Sequence, residues 1–428
     1  MDQVTTQGAS QRPQRRDRAM RDVLLVSYHF PPHGGKAVQR ASKLAKYLPE
    51  FGWRPVVFAL PEKQRKVPMD PTLLDELPGG LEVHRPSYFD YRRVLPGEIR
   101  KLLPRQFPDR YRPWSEKSAP KLASLVRSSE IQAMVTTSPT HSTQLLGLRV
   151  KRATGIPWAA DFRDPWSSDL RFGDRPGEEV MRSLETDVLE EADAVVGVFP
   201  RILRDFEDRA EPERLYLIEN GYDEDDFEAV DWGAPPLEQD VLTLGHNGTV
   251  SDNRDPAPVL NALRRLLASE SIEPGSIRAV FTTAPAGRKR FAGFEDLLEA
   301  GMLEVRGYRP HSPSIAELAR LDVSLLLLTQ GEAIYPAKLF EYMRLGNPIL
   351  SVSKPGDDLH ELIASHDVGM VVDRSDEPAI AEALLELLES KSSGNLPHLR
   401  PDLEGIRRFS RRDIARRYAE LLDSISSG

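Results

Sequence analysis

Short continuous apolar runs alternate with segments of helical periodicity along almost the whole chain, and this alternation limits the possible folds more than any other feature. The run DVLLVSYHF (22–30) precedes VQRASKLAKYL (38–48), whose apolar residues recur every three or four positions. IQAMVTTS (131–138) and STQLLGLRVKRAT (142–154) repeat the same order. Continuous apolar strands are typical of parallel sheets that are buried on both faces. The pattern therefore predicts an α/β fold with doubly wound sheets.

An acidic segment rich in proline and glycine, DEDDFEAVDWGAPPLEQD (223–240), interrupts the alternation, which then restarts. Because a chain of 428 residues is also too long for one ordinary core, we predict two Rossmann-like domains that face a central cleft. The predicted divisions are a disordered tail (1–20), a first domain (21–225), a linker (226–240), a second domain (241–404) and an amphipathic C-terminal helix (405–428). We expect this last helix to pack back on the first domain.

Composition and charge exclude several classes of protein. A net charge of -9 argues against a general nucleic-acid-binding protein, which is usually basic. The chain has no cysteine, so it has no disulfide, thiolate nucleophile or cysteine-ligated metal. No apolar run approaches the roughly 18 residues that a membrane span requires, and residues 1–20 lack the apolar segment of a signal peptide. We therefore expect a cytoplasmic protein.

Two glycine-containing loops mark the predicted ligand crevice, because doubly wound sheets bind ligands at the carboxyl ends of their strands. The loops are HFPPHGGKA and GHNGTVSDNR. Neither contains the dinucleotide-binding G-x-G-x-x-G pattern or a phosphate-binding P-loop. Glycines in such turns also end strands without any ligand, and that alternative stays open for each loop alone. The residues of interest are Gly34, Gly35, Gly248, Thr249 and Arg254.

The segment YPAKLFEYMRLGNPIL (335–350) predicts a helix between two buried strands, with charges near its first turn. Pro336 suits the first helical position, and Lys338 and Glu341 share one face. A lysine opposes the helix dipole at an N-terminus, but it is favourable when a phosphate binds there. A carboxylate one turn further on can accept hydrogen bonds from a ribose diol. The alternative is an ordinary salt bridge on a solvated face.

Six motifs make the chain similar to GT-B glycosyltransferases of glycosyltransferase family 4. In chain order they are YHFPPHGGKAVQR, TSPTHST, DFRDPW, ENGYDEDDF, GHNGTV and PAKLFEYMRLGNPIL, within a resemblance that runs from about residue 22 to 372. The resemblance implies a nucleotide-sugar donor held mainly by the second domain and an acceptor held mainly by the first. It also implies retention of anomeric configuration, no essential metal and no cofactor beyond the nucleotide sugar itself.

The resemblance further assigns roles to single residues. Glu341 matches the glutamate that holds the donor ribose, and Arg254 stands where the family often has a lysine on the diphosphate. His141 matches a histidine near the transferred sugar. The predicted donor-binding residues are Gly34, Gly35, Gly248, Thr249, Arg254, Gly307, Tyr308, Lys338 and Glu341. The predicted acceptor-side residues are His141, Asp161, Arg163 and Asp164. The predicted catalytic residues are His141, Asp164, Arg254 and Lys338.

Two departures from the family pattern fall in the donor site. The first glutamate of the family's pair is replaced by Ala333, with Glu332 one position away. The arginine that often precedes the basic diphosphate residue is replaced by Thr249. Lys338 can supply phosphate-binding charge from the other side.

Structural roles stay open for two of the acceptor-side motifs. His141 can bond backbone groups near TSPT instead of touching a sugar. In DFRDPW, Arg163 can hold a loop in place through ion pairs with Asp161 and Asp164, which lie on either side of it in the sequence.

Residues 91–114 are basic and aromatic in an otherwise acidic chain. This segment, YRRVLPGEIRKLLPRQFPDRYRPW, carries seven basic and two acidic residues. Such segments suit anionic membrane surfaces, so we predict peripheral association with the inner face of the membrane. A surface excursion that covers the helices of the first domain is the alternative.

Taken together, these features predict a glycosyltransferase that moves a sugar from a nucleotide sugar, a UDP-sugar, to a glycan or lipid-linked acceptor in polysaccharide or glycoconjugate biosynthesis. Two other functions stay open. One is a GT-B nucleotide-sugar epimerase, which needs no acceptor. The other is a catalytically silent protein that only binds sugar nucleotides, which the missing glutamate at Ala333 would permit.

Overall fold

Two parallel β-sheets organise the computed structural model of the protein. The described residues are 20–62, 69–87, 95–96, 107–168, 177–252, 254–328, 335–396 and 403–427. The first sheet contains β1 (Arg21–Ser27), β2 (Trp53–Ala59), β3 (Glu82–His84), β4 (Ile131–Thr137), β5 (Trp158–Phe162), β6 (Ala194–Gly197) and β7 (Leu215–Leu217). The second contains β8 (Leu242–Asn247), β9 (Ile277–Thr282), β10 (Leu303–Arg306), β11 (Val323–Leu327), β12 (Ile349–Ser353) and β13 (Gly369–Asp373).

Helices connect most of the consecutive strands and pack against the two sheets. Those of the first half are α1 (Lys36–Tyr47), α2 (Arg112–Ser128), α3 (Ser142–Thr154), α4 (Glu178–Glu191) and α5 (Pro200–Arg204). Those of the second half are α6 (Ala257–Ala268), α7 (Glu295–Glu299), α8 (His311–Leu318), α9 (Ala337–Leu345), α10 (Asp358–Ser365) and α11 (Glu377–Ser392). Two more helices, α12 (Leu403–Ile406) and α13 (Arg411–Ile425), follow the second sheet.

The strand order shows that both sheets are doubly wound. It is β3-β2-β1-β4-β5-β6-β7 in the first sheet and β10-β9-β8-β11-β12-β13 in the second. The order reverses between β1 and β4 and again between β8 and β11, and ligands of such sheets bind at these two points. The predicted fold class is confirmed.

The chain changes from one sheet to the other between Leu217 and Leu242, where a short 3₁₀ helix, Glu224–Phe227, is followed by irregular structure. The predicted linker falls inside this interval. The predicted disordered tail lies almost wholly outside the described residues.

The C-terminal helix α13 returns to the first domain, as the sequence predicted. Its apolar residues Ile414 and Leu422 belong to the same buried cluster as Leu44 of α1. At the crossing point the amide of Tyr222 donates to the carbonyl of Phe409 at 3.0 Å. A Cβ on Gly221 would lie only 1.7 Å from that carbonyl oxygen, so the close crossing requires glycine there.

A buried ion pair joins this returning helix to the first sheet. Arg40 of α1 and Asp161 of β5 are both fully buried, and their side chains meet at 2.8 Å. The same guanidinium donates to the carbonyl oxygens of Ile218 and Glu219, each at 2.8 Å, and to the hydroxyl of Tyr418 at 2.9 Å. Arg40 therefore holds together the sheet, the loop after β7 and α13.

Replacing Arg40 with leucine should destabilise the first domain strongly. The change leaves the Asp161 carboxylate buried without its cation, which costs about 3–5 kcal/mol. All five tryptophans precede residue 233, so tryptophan fluorescence during urea unfolding reports on this half of the chain. Arg412→Ala is the control, because its ion pair with Glu50 is largely exposed, and it should cost less than about 1 kcal/mol. Equal losses in the two variants would contradict a structural role for the buried pair.

Candidate functional site

The second sheet opens at its switch point, where β8 and β11 pair over only two positions. Leu244 pairs with Val323 and Gly245 with Ser324, and the register ends there. The loop after β8 and helix α9, which follows β11 in the chain, both begin at this edge. The separation of the two strands therefore leaves a crevice between the GHNGTV loop and the first turn of α9.

Lys338 lies buried in this crevice, with 7% of its surface exposed. Its ammonium donates to the carbonyl oxygen of Asn247 at 2.5 Å and lies 3.4 Å from Nε2 of His246. The residue is thus not part of a solvated helix face, which was the structural alternative for this segment.

Gly248 lies directly beside the Lys338 ammonium. It is exposed and has φ 127°, a conformation that favours glycine. A Cβ at this position would lie 2.9 Å from Nζ of Lys338. The glycine therefore allows another group to approach the lysine closely, and the structure brings these two predicted donor residues together.

His246 is a site residue that the sequence motifs did not identify. It is fully buried at the end of β8, and its Nδ1 lies 3.0 Å from the carbonyl oxygen of Leu325. Burial, together with the positive charges of Lys338 and Arg254, lowers the pKa of His246 well below its usual value of 6.5. The imidazole is therefore neutral at physiological pH.

The predicted residues Thr249 and Arg254 belong to the same loop. Thr249 is exposed and Arg254 is half-buried, and the Arg254 amide donates to the carbonyl of Ser251 at 2.9 Å in a tight turn. The charge of Arg254 also contributes to lowering the pKa of His246, so its guanidinium lies within electrostatic range of that ring.

Glu341, one turn further along α9, contacts a histidine that the sequence did not single out. His311, the first residue of α8, lies 3.1 Å from Glu341 and 3.7 Å from Asp226 of the linker. Burial lowers the pKa of His311, but the two carboxylates raise it more, to about 10. His311 is therefore an imidazolium that connects the linker to Glu341.

The loop predicted to read the base follows β10. Tyr308 is 73% exposed, so its ring is available to a ligand. A Cβ on Gly307 would lie 3.8 Å from Nη2 of Arg288. Arg288, in the 3₁₀ helix Pro285–Phe291, therefore lies close to this loop. The sequence motifs did not indicate this arginine.

The first sheet presents its own loops at the switch point between β1 and β4. Gly35 has φ 90° and immediately precedes α1, and Gly34 packs so closely that a Cβ would lie 3.0 Å from Cβ of Asp70. Arg163 donates to the carbonyl oxygens of Ala37 at 2.8 Å and Ser138 at 3.3 Å. Arg163 therefore ties the glycine loop to the loop after β4.

His141 and Asp164 follow β4 and β5 at this edge. His141 precedes α3 and stacks on the ring of Trp166, with centroids 5.1 Å apart and planes 11° apart. Its Nδ1 is buried with no hydrogen-bond partner among the described residues. The negative charge of Asp164 acts on the Arg163 guanidinium. Their assignment to the acceptor side stays a prediction.

Asp161 requires a correction. Its side chain is fully buried and its Oδ2 accepts from Arg40 and, at 2.6 Å, from Thr137. An enclosed carboxylate offers no surface to an acceptor, so Asp161 has a structural role. Its ion-pair partner is Arg40 rather than the neighbouring Arg163, which was the predicted alternative.

Some predictions fall outside the described residues. These include Ala333 and Glu332 in the donor site, and most of the basic segment 91–114. Within the part of the chain that the structure describes, no group of three or more histidine, aspartate or glutamate side chains is placed to hold a metal ion. Searched over the same residues, the helices include none that is both long and apolar enough to cross a membrane.

Comparison with known proteins identifies the first domain. The family described as Glycosyl transferase 4-like domain matches residues 34–221. No protein of the curated set matches the chain.

Solved structures match over both domains. Sucrose-phosphate synthase from Thermosynechococcus elongatus is 14% identical, with a TM-score of 0.66 over 95% of this chain and 100% of its own. Anabaena HepE, in complex with UDP and glucose, is 16% identical, with a TM-score of 0.63 over 94% and 99%. A structure from Listeria monocytogenes that is described as a UDP-N-acetylglucosamine 2-epimerase is 12% identical, with a TM-score of 0.59 over 95% of this chain and 96% of its own.

These matches confirm the resemblance inferred from the motifs. The matched residues cover the first sheet from the glycine loop after β1 to the crossing point at Gly221. The structural likeness extends the shared architecture over the second sheet. Residues 34–221 therefore match the glycosyl transferase 4-like domain, and the chain as a whole has the two-domain GT-B fold of the solved structures.

Proposed function

We propose that the protein transfers a sugar from a UDP-sugar to a glycan or glycolipid acceptor. The observation that carries the proposal is the buried lysine behind Gly248 at the switch point of the second sheet. A fixed cation, an exposed glycine backbone and a helix N-terminus are the features that bind a phosphate group. The Anabaena structure, which contains UDP and glucose, supports UDP as the nucleotide.

In this proposal the donor lies across the second domain. Lys338 and Arg254 bind the diphosphate, together with the amides of the first turn of α9. Glu341 accepts hydrogen bonds from the ribose diol, and His311 holds its carboxylate in place. The loop of Gly307 and Tyr308 binds the base.

The acceptor then lies on the first domain, on the opposite side of the cleft. Gly34 and Gly35 leave room beside the N-terminus of α1, and Arg163 fixes that loop against the loop after β4. His141, a basic group, follows β4 and Asp164, an acidic group, follows β5 at this edge. We propose that they contact the acceptor or the transferred sugar.

Catalysis in this arrangement is mainly electrostatic. A diphosphate that leaves the sugar gains negative charge, and cations placed in advance stabilise that charge without reorganising. Burial of Lys338 strengthens the effect, since charges interact more strongly where water is excluded. We propose transfer with retention of configuration, with no metal ion and no cofactor other than the donor.

A nucleotide-sugar epimerase is the second candidate, because the Listeria structure described as an epimerase shares the fold. The two functions differ in their need for an acceptor. An epimerase changes the UDP-sugar alone, whereas a transferase releases UDP faster when an acceptor is added. A protein that only binds sugar nucleotides would do neither.

We also propose a place for the enzyme in the cell. Lipid-linked acceptors of polysaccharide and glycoconjugate biosynthesis lie at a membrane surface. A cytoplasmic enzyme that is held at the inner face by the basic segment 91–114 would meet them there.

Release of UDP from a UDP-sugar tests the proposed function. We expect turnover with at least one UDP-sugar, stimulated by a glycan or glycolipid acceptor, and unchanged in the presence of EDTA because Lys338 and Arg254 neutralise the leaving group. Binding without any turnover would favour the silent alternative. Loss of activity in EDTA that magnesium or manganese restores would contradict the metal-independent mechanism.

Replacing Gly248 with alanine should weaken UDP binding about tenfold, equivalent to roughly 1.4 kcal/mol. The added Cβ, 2.9 Å from Nζ of Lys338, displaces the ammonium and blocks the approach of the diphosphate. Gly293→Ala is the matched control, because Gly293 also has a positive φ, 89°, but nothing within 4 Å of a Cβ. Calorimetry should show unchanged UDP affinity for the control. Parent-like affinity in a folded Gly248→Ala variant would place the diphosphate elsewhere.

Changing Arg100, Lys101 and Arg105 to glutamate should strongly reduce binding to anionic vesicles. Each basic residue near such a surface contributes about 1 kcal/mol, and salt screens the attraction. A control with the same charge change uses Lys117, Lys121 and Arg127, which are exposed along α2. Vesicle sedimentation at low and high salt measures the effect. Equal binding by the two triple variants, or none by the parent, would contradict a membrane role for the segment.

A further inference from the structure

At the end of β8, a side chain makes the contact with β11 that the backbone makes one position earlier. The register between β8 and β11 stops at Gly245 and Ser324. One position further along, the imidazole of His246 contacts the carbonyl oxygen of Leu325 at 3.0 Å. Because buried carbonyl groups need hydrogen-bond partners, the ring connects the two strands where they separate.

This contact fixes the tautomer of His246. A carbonyl oxygen only accepts hydrogen bonds, so Nδ1 carries the proton. The ring is neutral, because burial and two nearby cations keep its pKa low. Nε2 therefore presents a lone pair, and that atom faces the Lys338 ammonium at 3.4 Å.

The Lys338 ammonium thus has two fixed acceptors, Nε2 of His246 and the carbonyl oxygen of Asn247. A lysine side chain is flexible, so fixing it in one rotamer costs conformational entropy. Acceptors that hold the ammonium before a ligand arrives remove that cost from binding. They also fix the cation beneath Gly248, where the donor diphosphate is proposed to bind.

We propose that His246 is the positioning residue for Lys338, and that it acts as a neutral imidazole that holds the ammonium against the diphosphate of the donor. The proposal rests on the diphosphate-binding role of Lys338 given above. Histidine suits the task because one ring nitrogen donates to β11 while the other accepts from the lysine. Leucine can do neither, and glutamine can do both through its amide.

The test compares UDP with uridine, because only UDP carries the diphosphate. For His246→Leu, calorimetry should show UDP affinity reduced about tenfold, the scale of one charged hydrogen bond, and uridine affinity within about twofold of the parent. His246→Gln should recover most of the loss. The control is Thr243→Val, a buried polar-to-apolar change on the same strand whose hydroxyl contacts Asp322. It should not discriminate between the two ligands.

Other outcomes overturn the proposal. If His246→Leu weakens UDP and uridine equally, or weakens neither, His246 is only a packing residue. If the His246→Leu variant does not fold, the folded His246→Gln variant tests the positioning role. In that case its UDP affinity should stay within about threefold of the parent, with uridine unchanged, and a tenfold loss of both ligands contradicts the positioning role. Failure of the parent to bind UDP overturns the donor site itself, and the inference with it.

The dependence on pH gives a second readout. The charged groups that act on His246 are Lys338 and Arg254, and both keep the ring unprotonated. The ratio of UDP affinities between the parent and His246→Gln should therefore stay constant from about pH 6 to 8, across the usual histidine pKa. A ratio that falls as the pH drops would show that His246 gains a proton, and would contradict its role as an acceptor.

Discussion

A lysine buried where two parallel strands separate is the constraint on which the proposed donor site depends. Removing an ammonium from water costs several kcal/mol unless acceptors replace the lost solvent. The end of β8 supplies them, through the carbonyl oxygen of Asn247 and the imidazole of His246. The same constraint explains the glycine that follows, because a side chain at Gly248 would collide with the ammonium. The burial of Lys338, the tautomer of His246 and the glycine at position 248 all belong to one arrangement.

Helix α9 also connects this site to the junction between the domains. Arg344, near its end, contacts Glu224, just before the linker, at 3.0 Å and lies over the ring of Trp232 in the linker at 4.5 Å. On the same helix, Glu341 reaches the linker through His311 and Asp226. The proposed ribose contact and the linker therefore share one charged network. A donor bound to Glu341 as proposed would therefore contact a network that reaches the segment joining the two domains.

Much of the fold was predictable, because apolar periodicity depends on neighbouring residues in the chain. The strands, the two sheets and the proximity of Gly248 to Lys338 follow from where strands end and helices begin. His246 was missed because the groups that contact a histidine at the end of an apolar strand are known only from the folded structure. His311 was missed for the same reason, since Asp226 and Glu341 approach it from distant parts of the chain. Asp161 was assigned wrongly because the sequence does not show that α1 buries Arg40 against it.

The central claim is that Lys338, held behind Gly248, binds the diphosphate of a nucleotide-sugar donor. A crystal structure of the protein with UDP tests it most directly. We expect a phosphate oxygen at hydrogen-bonding distance from Nζ of Lys338, about 2.7–3.2 Å, with the ribose hydroxyls on Glu341. A UDP molecule whose diphosphate points away from Lys338, or that binds on the first domain, would contradict it.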